Sequence, residues 1–261
     1  MSLTPKELYS MDYYRTSEEK AFKAARVIVP IVFEIIRPKS VIDMGCGYGS
    51  FLAIFKEHGV RDILGIDGEW VNQEMLKIPK GEFVPFDFKK PFGVNRQFDL
   101  VVCLEVAEHI ESESADLFVD SLAGLGPVIL FSAAIPFQNK GENRYHVNEQ
   151  WPEYWVKRFE ERGYVVIDCI RKKIWNHSEV AYYYAQNILL FARPDSVMNN
   201  PRLKLELEHD SHSMLSVVHP VQYSRLTSDH LELQKKKDYL KILLKKIVSA
   251  FPRLVAFFRK S

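Results

Sequence analysis

The stretch Val41-Ile42-Asp43-Met44-Gly45-Cys46-Gly47-Tyr48-Gly49-Ser50-Phe51 decides how the rest of the chain is read. Val41 and Ile42 are β-branched and suit a buried strand. Gly45, Gly47 and Gly49 then remove the Cβ atoms that would keep a ligand off the backbone. Ser50 to Phe55 starts a helix that stops at His58-Gly59, glycine being the favoured terminator. Backbone N–H groups at such a helix start attract oxygen-bearing ligands. A glycine pattern alone is weak evidence and needs its context.

The context supports it. An apolar run, Asp62 to Ile66, follows the helix and ends in Asp67. An acid about 20 residues past the first glycine suits a carboxylate that grips ribose hydroxyls. Dinucleotide dehydrogenases share this layout but favour G-x-G-x-x-G, and position 50 is Ser. An acid two residues before a G-x-G-x-G run, as Asp43 stands, resembles the S-adenosylmethionine (SAM) methyltransferases of class I. Phe83 to Phe88, Phe98 to Glu105 and Val128 to Ser132 resemble that family's third, fourth and fifth strands. The resemblance spans residues 25–193. It implies a doubly wound, Rossmann-like α/β sheet of seven strands, with strand six at 164–170 and an antiparallel seventh at 187–192. SAM is the cofactor it implies, held by Asp43, Gly45, Gly47, Gly49, Asp67 and Glu105, with Asp87 facing the adenine amine.

Composition agrees with an enzyme body. The chain has 261 residues, 47% hydrophobic and 26% charged, enough for one large core and an appendage. Cys46, Cys103 and Cys169 have no metal-binding spacing and read as inert thiols of a reducing compartment. No apolar stretch reaches spanning length, and the N-terminus lacks a secretion pattern, so a cytoplasmic location is expected. Residues 235–261 carry nine Lys or Arg against the single acid Asp238, so with a total of +1 the first 234 residues carry −7. The acidic body makes nucleic acid an unlikely partner and argues against an RNA 2′-O-methyltransferase.

Four regions follow. Residues 1–24 read as a leader that either folds over the cofactor, as the resemblance implies, or packs as a helix on the sheet, and 25–194 as the methyltransferase domain, opened by a helix over 21–36 that Pro30 interrupts or bends. Residues 195–228 read as a linker, and 229–261 as a basic amphipathic helical tail. Apolar residues at 240, 243, 244, 247, 251, 254, 255 and 258 recur at helical steps, with lysines at 241, 245 and 246 beside them. Such a helix can lie on anionic lipid, which expects peripheral contact with the inner membrane through residues 235–261.

Chemistry centres on Glu105-Val-Ala-Glu108-His109, at the end of the fourth strand. On a helix these three polar residues would share a face. With His146 they could hold a divalent cation such as Mg²⁺, which would lower a substrate hydroxyl's pKa. E-x-x-E-H segments serve a metal in small-RNA 2′-O-methyltransferases and in the ubiquinone-pathway O-methyltransferase. They also occur in relatives without metal, where His acts as base or merely packs. His146, in a polar loop over 138–145 and just after it, is the first candidate base, with His109 and Glu108 beside it. Trp151, Tyr154 and Trp155, joined by Tyr182 to Tyr184, are candidates for a ring-binding surface. The runs Leu104 to His109, Phe131 to Pro136 and His146 to Pro152 resemble a bacterial group linked to surface-glycan and secondary-metabolite pathways. That resemblance implies O-methylation of a sugar or glycan intermediate. The alternatives are a small metabolite as acceptor, and a non-catalytic membrane-associated scaffold.

Overall fold

The computed structural model describes residues 11–138, 146–210 and 214–250, with side chains for 17–138, 146–210, 214–228 and 232–244. The loop expected over 138–145 lies, after Gln138, outside the described residues. Seven strands form one sheet in the order β3-β2-β1-β4-β5-β7-β6. They are β1 Ser40–Met44, β2 Asp62–Asp67, β3 Phe83–Pro85, β4 Leu100–Leu104, β5 Val128–Ser132, β6 Val165–Ile167 and β7 Leu189–Ala192. β1 to β5 pair in parallel, whereas β7 runs antiparallel to β5 and β6. The strand order reverses between β1 and β4, and at that point a crevice opens beyond the carboxyl ends of the strands.

Both faces of the sheet are buried at its centre, so β4 and β5 are buried at every position rather than alternating. In β4, Leu100, Val102 and Leu104 join one core layer while Val101 and Cys103 join the other. Helices Met11–Ile36 and Ser50–Glu57 supply side chains to the first layer, Ala115–Leu125 and Pro152–Glu160 to the second. All three cysteines are buried and reduced, as expected of packed thiols.

Four sequence boundaries are corrected. The first helix runs from Met11 through Pro30 to Ile36 without a break, so no boundary falls at residue 24. β6 is shorter than 164–170, because Asp210 captures the Asp168 N–H at 2.6 Å and Arg171 pairs with the Asp168 carboxylate, turning the chain. Most of the supposed linker's first half is helical: Pro194–Asn199 and Pro201–His209 each start on a proline that needs no N–H there. Asn200 caps the second by accepting the Arg202 and Leu203 N–H groups. Its side chain and that of Arg202 donate to the Ile35 and Glu34 carbonyls, closing the end of the first helix. Finally, the last helix starts at Pro220 rather than 229 and runs to Ala250. Residues 251–261 of the expected tail lie outside the described residues. No described helix is long and apolar enough to cross a membrane.

Leu203 is buried in the first core layer. Leu203→Ala is therefore expected to lower unfolding stability by about 2–5 kcal/mol. Urea denaturation followed by circular dichroism reads the shift, and an unchanged midpoint would mean that the segment does not contribute to the core.

Candidate active site

The glycine turn leaves β1 and is held entirely by the protein. Gly45 and Cys46 donate their N–H groups to the Ile66 carbonyl at 2.7 and 3.1 Å. Gly47 donates to Asp67 Oδ2 at 2.7 Å, Tyr48 to Glu18 Oε1 at 2.9 Å, and Gly49 to the Cys46 carbonyl at 2.8 Å. Every amide from 45 to 49 thus has an internal acceptor. The N–H groups expected to attract a ligand belong to the helix start that follows, Ser50–Glu57, which no side chain caps. The glycines serve otherwise than expected. A Cβ at Gly45, whose φ is +87°, would strike Val106 Cγ2 at 2.2 Å, and one at Gly47, with φ +55°, would meet Glu18 Oε1 at 2.5 Å. Protein side chains fill the directions that the missing Cβ atoms leave open.

What the turn presents is carboxylate. Asp43 lies one residue before the end of β1 and is buried; burial raises its pKa well above the ordinary range, helped by the charges of Asp67 and Glu18. Asp67 accepts Gly47 and Gly68 N–H groups, the latter at 2.6 Å. Burial nevertheless raises it from 3.8 to about 6, with Glu18 adding and the two bonds opposing. Glu18, in the segment read as a leader, was not singled out in the sequence, where nothing distinguishes it from Glu19. Asp87 does not join these acids: its carboxylate sits in an exposed turn after β3 and accepts the Lys89 N–H at 3.1 Å.

The second half of the crevice lies past β4 and β5. Glu105 is not on a helix face with Glu108 and His109, because it takes a left-handed φ of +56° before a 3₁₀ turn, Ala107–His109. Its N–H donates to both the Ser132 carbonyl and hydroxyl, at 2.9 and 3.1 Å. Its carboxylate is clamped by Gln138 Nε2 at 2.7 Å and Asn187 Nδ2 at 3.0 Å. Burial raises its pKa, against those amide bonds and the influence of His146. Glu105 therefore stands outside the cluster that the sequence assigned to it. The other three residues do converge: ligating atoms of Glu108, His109 and His146 lie within 4.8 Å of one another.

Backbone bonds hold that convergence. Val147 and Asn148 both donate to the Glu108 carbonyl, at 2.9 and 3.0 Å, and Gln150 donates to Ala134 at 3.2 Å. His146 thereby packs edge-on against His109 with ring centroids 4.8 Å apart. Its Nδ1 meets Glu149 Oε1 at 2.8 Å, while Glu149 Oε2 accepts the Phe137 N–H at 2.7 Å. Glu149 was not picked out from the sequence, although it stands within the His146 to Pro152 run. Glu108 Oε2 is buried without a hydrogen-bond partner. Burial, and then the Glu105 charge, push its pKa well up.

The aromatic cluster does not form as one group. Trp155 packs on Phe131 in the second core layer, whereas Tyr184 packs on Phe51 in the first, across the sheet. Phe137, Val147 and Trp151 are the exposed apolar side chains close to His146 in sequence or through Glu149.

A family model described as a methyltransferase domain matches residues 17–168. Among solved structures, a putative O-methyltransferase from Nostoc punctiforme is similar at 13% identity and a TM-score of 0.54, covering 73% of this chain and 62% of that one. An O-methyltransferase family protein from Burkholderia thailandensis is similar at 14% identity and a TM-score of 0.53, covering 74% of this chain and 64% of its own. The chain thus spans less than two thirds of either, and at these identities the likeness shows the fold.

Because Asp67 holds its proton more tightly folded than unfolded, its contribution to stability is largest below pH 3.8 and declines as pH rises to about 6. The unfolding free energy of wild type minus that of Asp67→Ala should fall across this window and level off above it. A flat difference, measured by urea titration at successive pH values, would contradict the burial-raised pKa.

Proposed function

We propose that this chain, which belongs to the methyltransferase domain family and is by that membership a SAM-dependent methyltransferase, O-methylates a sugar or glycan intermediate. The observation that carries the choice of donor is the turn at 45–49. Its N–H groups from 45 to 49 are engaged and buried acids surround it, a setting suited to a cation. SAM carries a sulfonium and an ammonium, so the residues present fit it better than they fit a dinucleotide. Asp43, Asp67 and the turn would hold it, with Asp67 accepting from ribose hydroxyls. The bound donor supplies an electrophilic methyl group, and its sulfonium becomes a neutral thioether on transfer.

The chain's own part is position and a base. Glu149 fixes the His146 ring through Nδ1, which assigns the hydroxyl proton to the other ring nitrogen as the acceptor oxygen attacks. The exposed faces of Phe137 and Trp151 are of a kind on which sugar rings lie. A second reading rests on the partnerless Glu108 Oε2: a divalent cation such as Mg²⁺ held by Glu108, His109 and His146 would bind the substrate hydroxyl and lower its pKa. For the tail, described side chains from 232 to 244 are all exposed, and Leu240, Leu243 and Leu244 alternate with Lys241. That supports peripheral contact with anionic lipid through residues 235–261.

His146→Ala is expected to slow methyl transfer to a sugar acceptor by about 10²–10⁴-fold while donor affinity by calorimetry stays unchanged. Full activity in that variant would remove the base. Dialysis against chelator separates the two readings: loss of activity that Mg²⁺ restores favours the cation, and no loss excludes it. The tail is tested by flotation with vesicles of anionic lipid. The full chain should float and a chain lacking 229–261 should not; equal behaviour of the two would end the proposal.

A further inference from the structure

Glu18 reaches the glycine turn from the helix Met11–Ile36 and is 9% exposed. Its Oε1 accepts the Tyr48 N–H, and its Oε2 accepts the Ser50 hydroxyl at 2.6 Å. Gly47 stands between two carboxylates: it gives its N–H to Asp67, and its missing Cβ leaves the space that Glu18 fills. A carboxylate has about four acceptor positions, so those two bonds do not exhaust Glu18. A buried carboxylate also calls for a cation. Lys77 Nζ approaches no closer than 3.9 Å, longer than a charge-assisted hydrogen bond. Asp43 and Asp67 add negative charge on the same turn, and Tyr48, Cys46, Cys103 and Tyr184 are among the other titratable groups that feel it.

We propose that Glu18 is a donor-binding residue that receives the α-ammonium of SAM, on the opposite side of Gly47 from the ribose-binding Asp67. The inference rests on the SAM reading above and adds to it a residue and an end of the ligand. A molecule with vicinal hydroxyls at one end and an ammonium at the other satisfies both carboxylates across one turn. The ammonium donates to Glu18 what Lys77 is too distant to give. The first helix then becomes part of the donor site, because Glu18 is its contribution to the crevice.

The alternative is that Glu18 only braces the turn through Tyr48 and Ser50. Glu18→Gln separates the two roles, since the amide can still accept from Tyr48 and donate to the Ser50 oxygen while the charge is lost. Calorimetric affinities are compared for SAM, S-adenosylhomocysteine and 5′-methylthioadenosine, which lacks the amino-acid end. SAM and S-adenosylhomocysteine should each weaken about tenfold or more, with 5′-methylthioadenosine unchanged. Lys77→Met, at a half-exposed position, removes the competing cation and should tighten the first two ligands only. If all three ligands weaken together, or none does, Glu18 is a brace and the proposal fails. Should Glu18→Gln not fold, Lys77→Met decides, and unchanged SAM affinity overturns the proposal. A wild-type chain that binds none of the three would instead overturn the donor assignment itself.

Discussion

The crevice depends on a turn gripped from both sides by acids. Asp67 takes the Gly47 N–H from the β2 side, and Glu18 takes the Tyr48 N–H from the first helix. A buried amide must find an acceptor, and here each one from 45 to 49 finds it within the chain. The same glycine-rich turn that elsewhere binds anions through its backbone has been converted, by its acceptors, into a site that favours positive charge.

That conversion carries an electrostatic cost. Asp43 and Asp67 are each held above their ordinary pKa chiefly by burial, and each raises the difficulty for its neighbour or feels Glu18. Removing carboxylates from water is unfavourable unless a cation or a set of donors compensates. Asp67 has two N–H donors, which oppose but do not cancel its burial. A cationic ligand would offset what remains, which makes the burial of these acids a source of selectivity for a charged donor. The acids and the engaged amides therefore act in the same direction.

Much of this was legible in the chain. Strand composition and the Asp43-x-Gly45-x-Gly47-x-Gly49 spacing located the turn, the sheet and the acid at 67, because local patterns set them. Glu18 was not legible, since a contact between residues thirty positions apart leaves no local mark on a helix rich in Glu and Lys. Glu105 was misassigned for a related reason. Three- and four-residue spacing implies a shared face only inside a helix, and Glu105 lies before the helical turn with φ at +56°. The linker failed differently: Asn200-Pro201 is a helix-start signal, but few apolar residues followed it to suggest burial. Only Leu203 enters the core from that helix, while its cap and Arg202 close the end of another.

Backbone strain falls beside the candidate site. Among the described residues, three other than glycine have positive φ: Arg37, Glu105 and Phe137. Arg37 directly follows the first helix, a common place for a left-handed residue. The other two flank the crevice, and each has its unusual conformation fixed by a bond to a functional neighbour. Glu105 gives its N–H to both oxygens of Ser132, and Phe137 gives its N–H to the carboxylate that orients His146. Strain of this kind persists only where the surroundings over-determine it. Gln138, next to Phe137, clamps Glu105 and bonds to Asn187 and Gln186, so Glu105 belongs to a buried amide network that starts one residue from Phe137. The loop bearing His146 is pinned likewise, by main-chain bonds to the Glu108 carbonyl. The position of His146 is therefore set by the backbone that follows it and not by its own side-chain bonds alone.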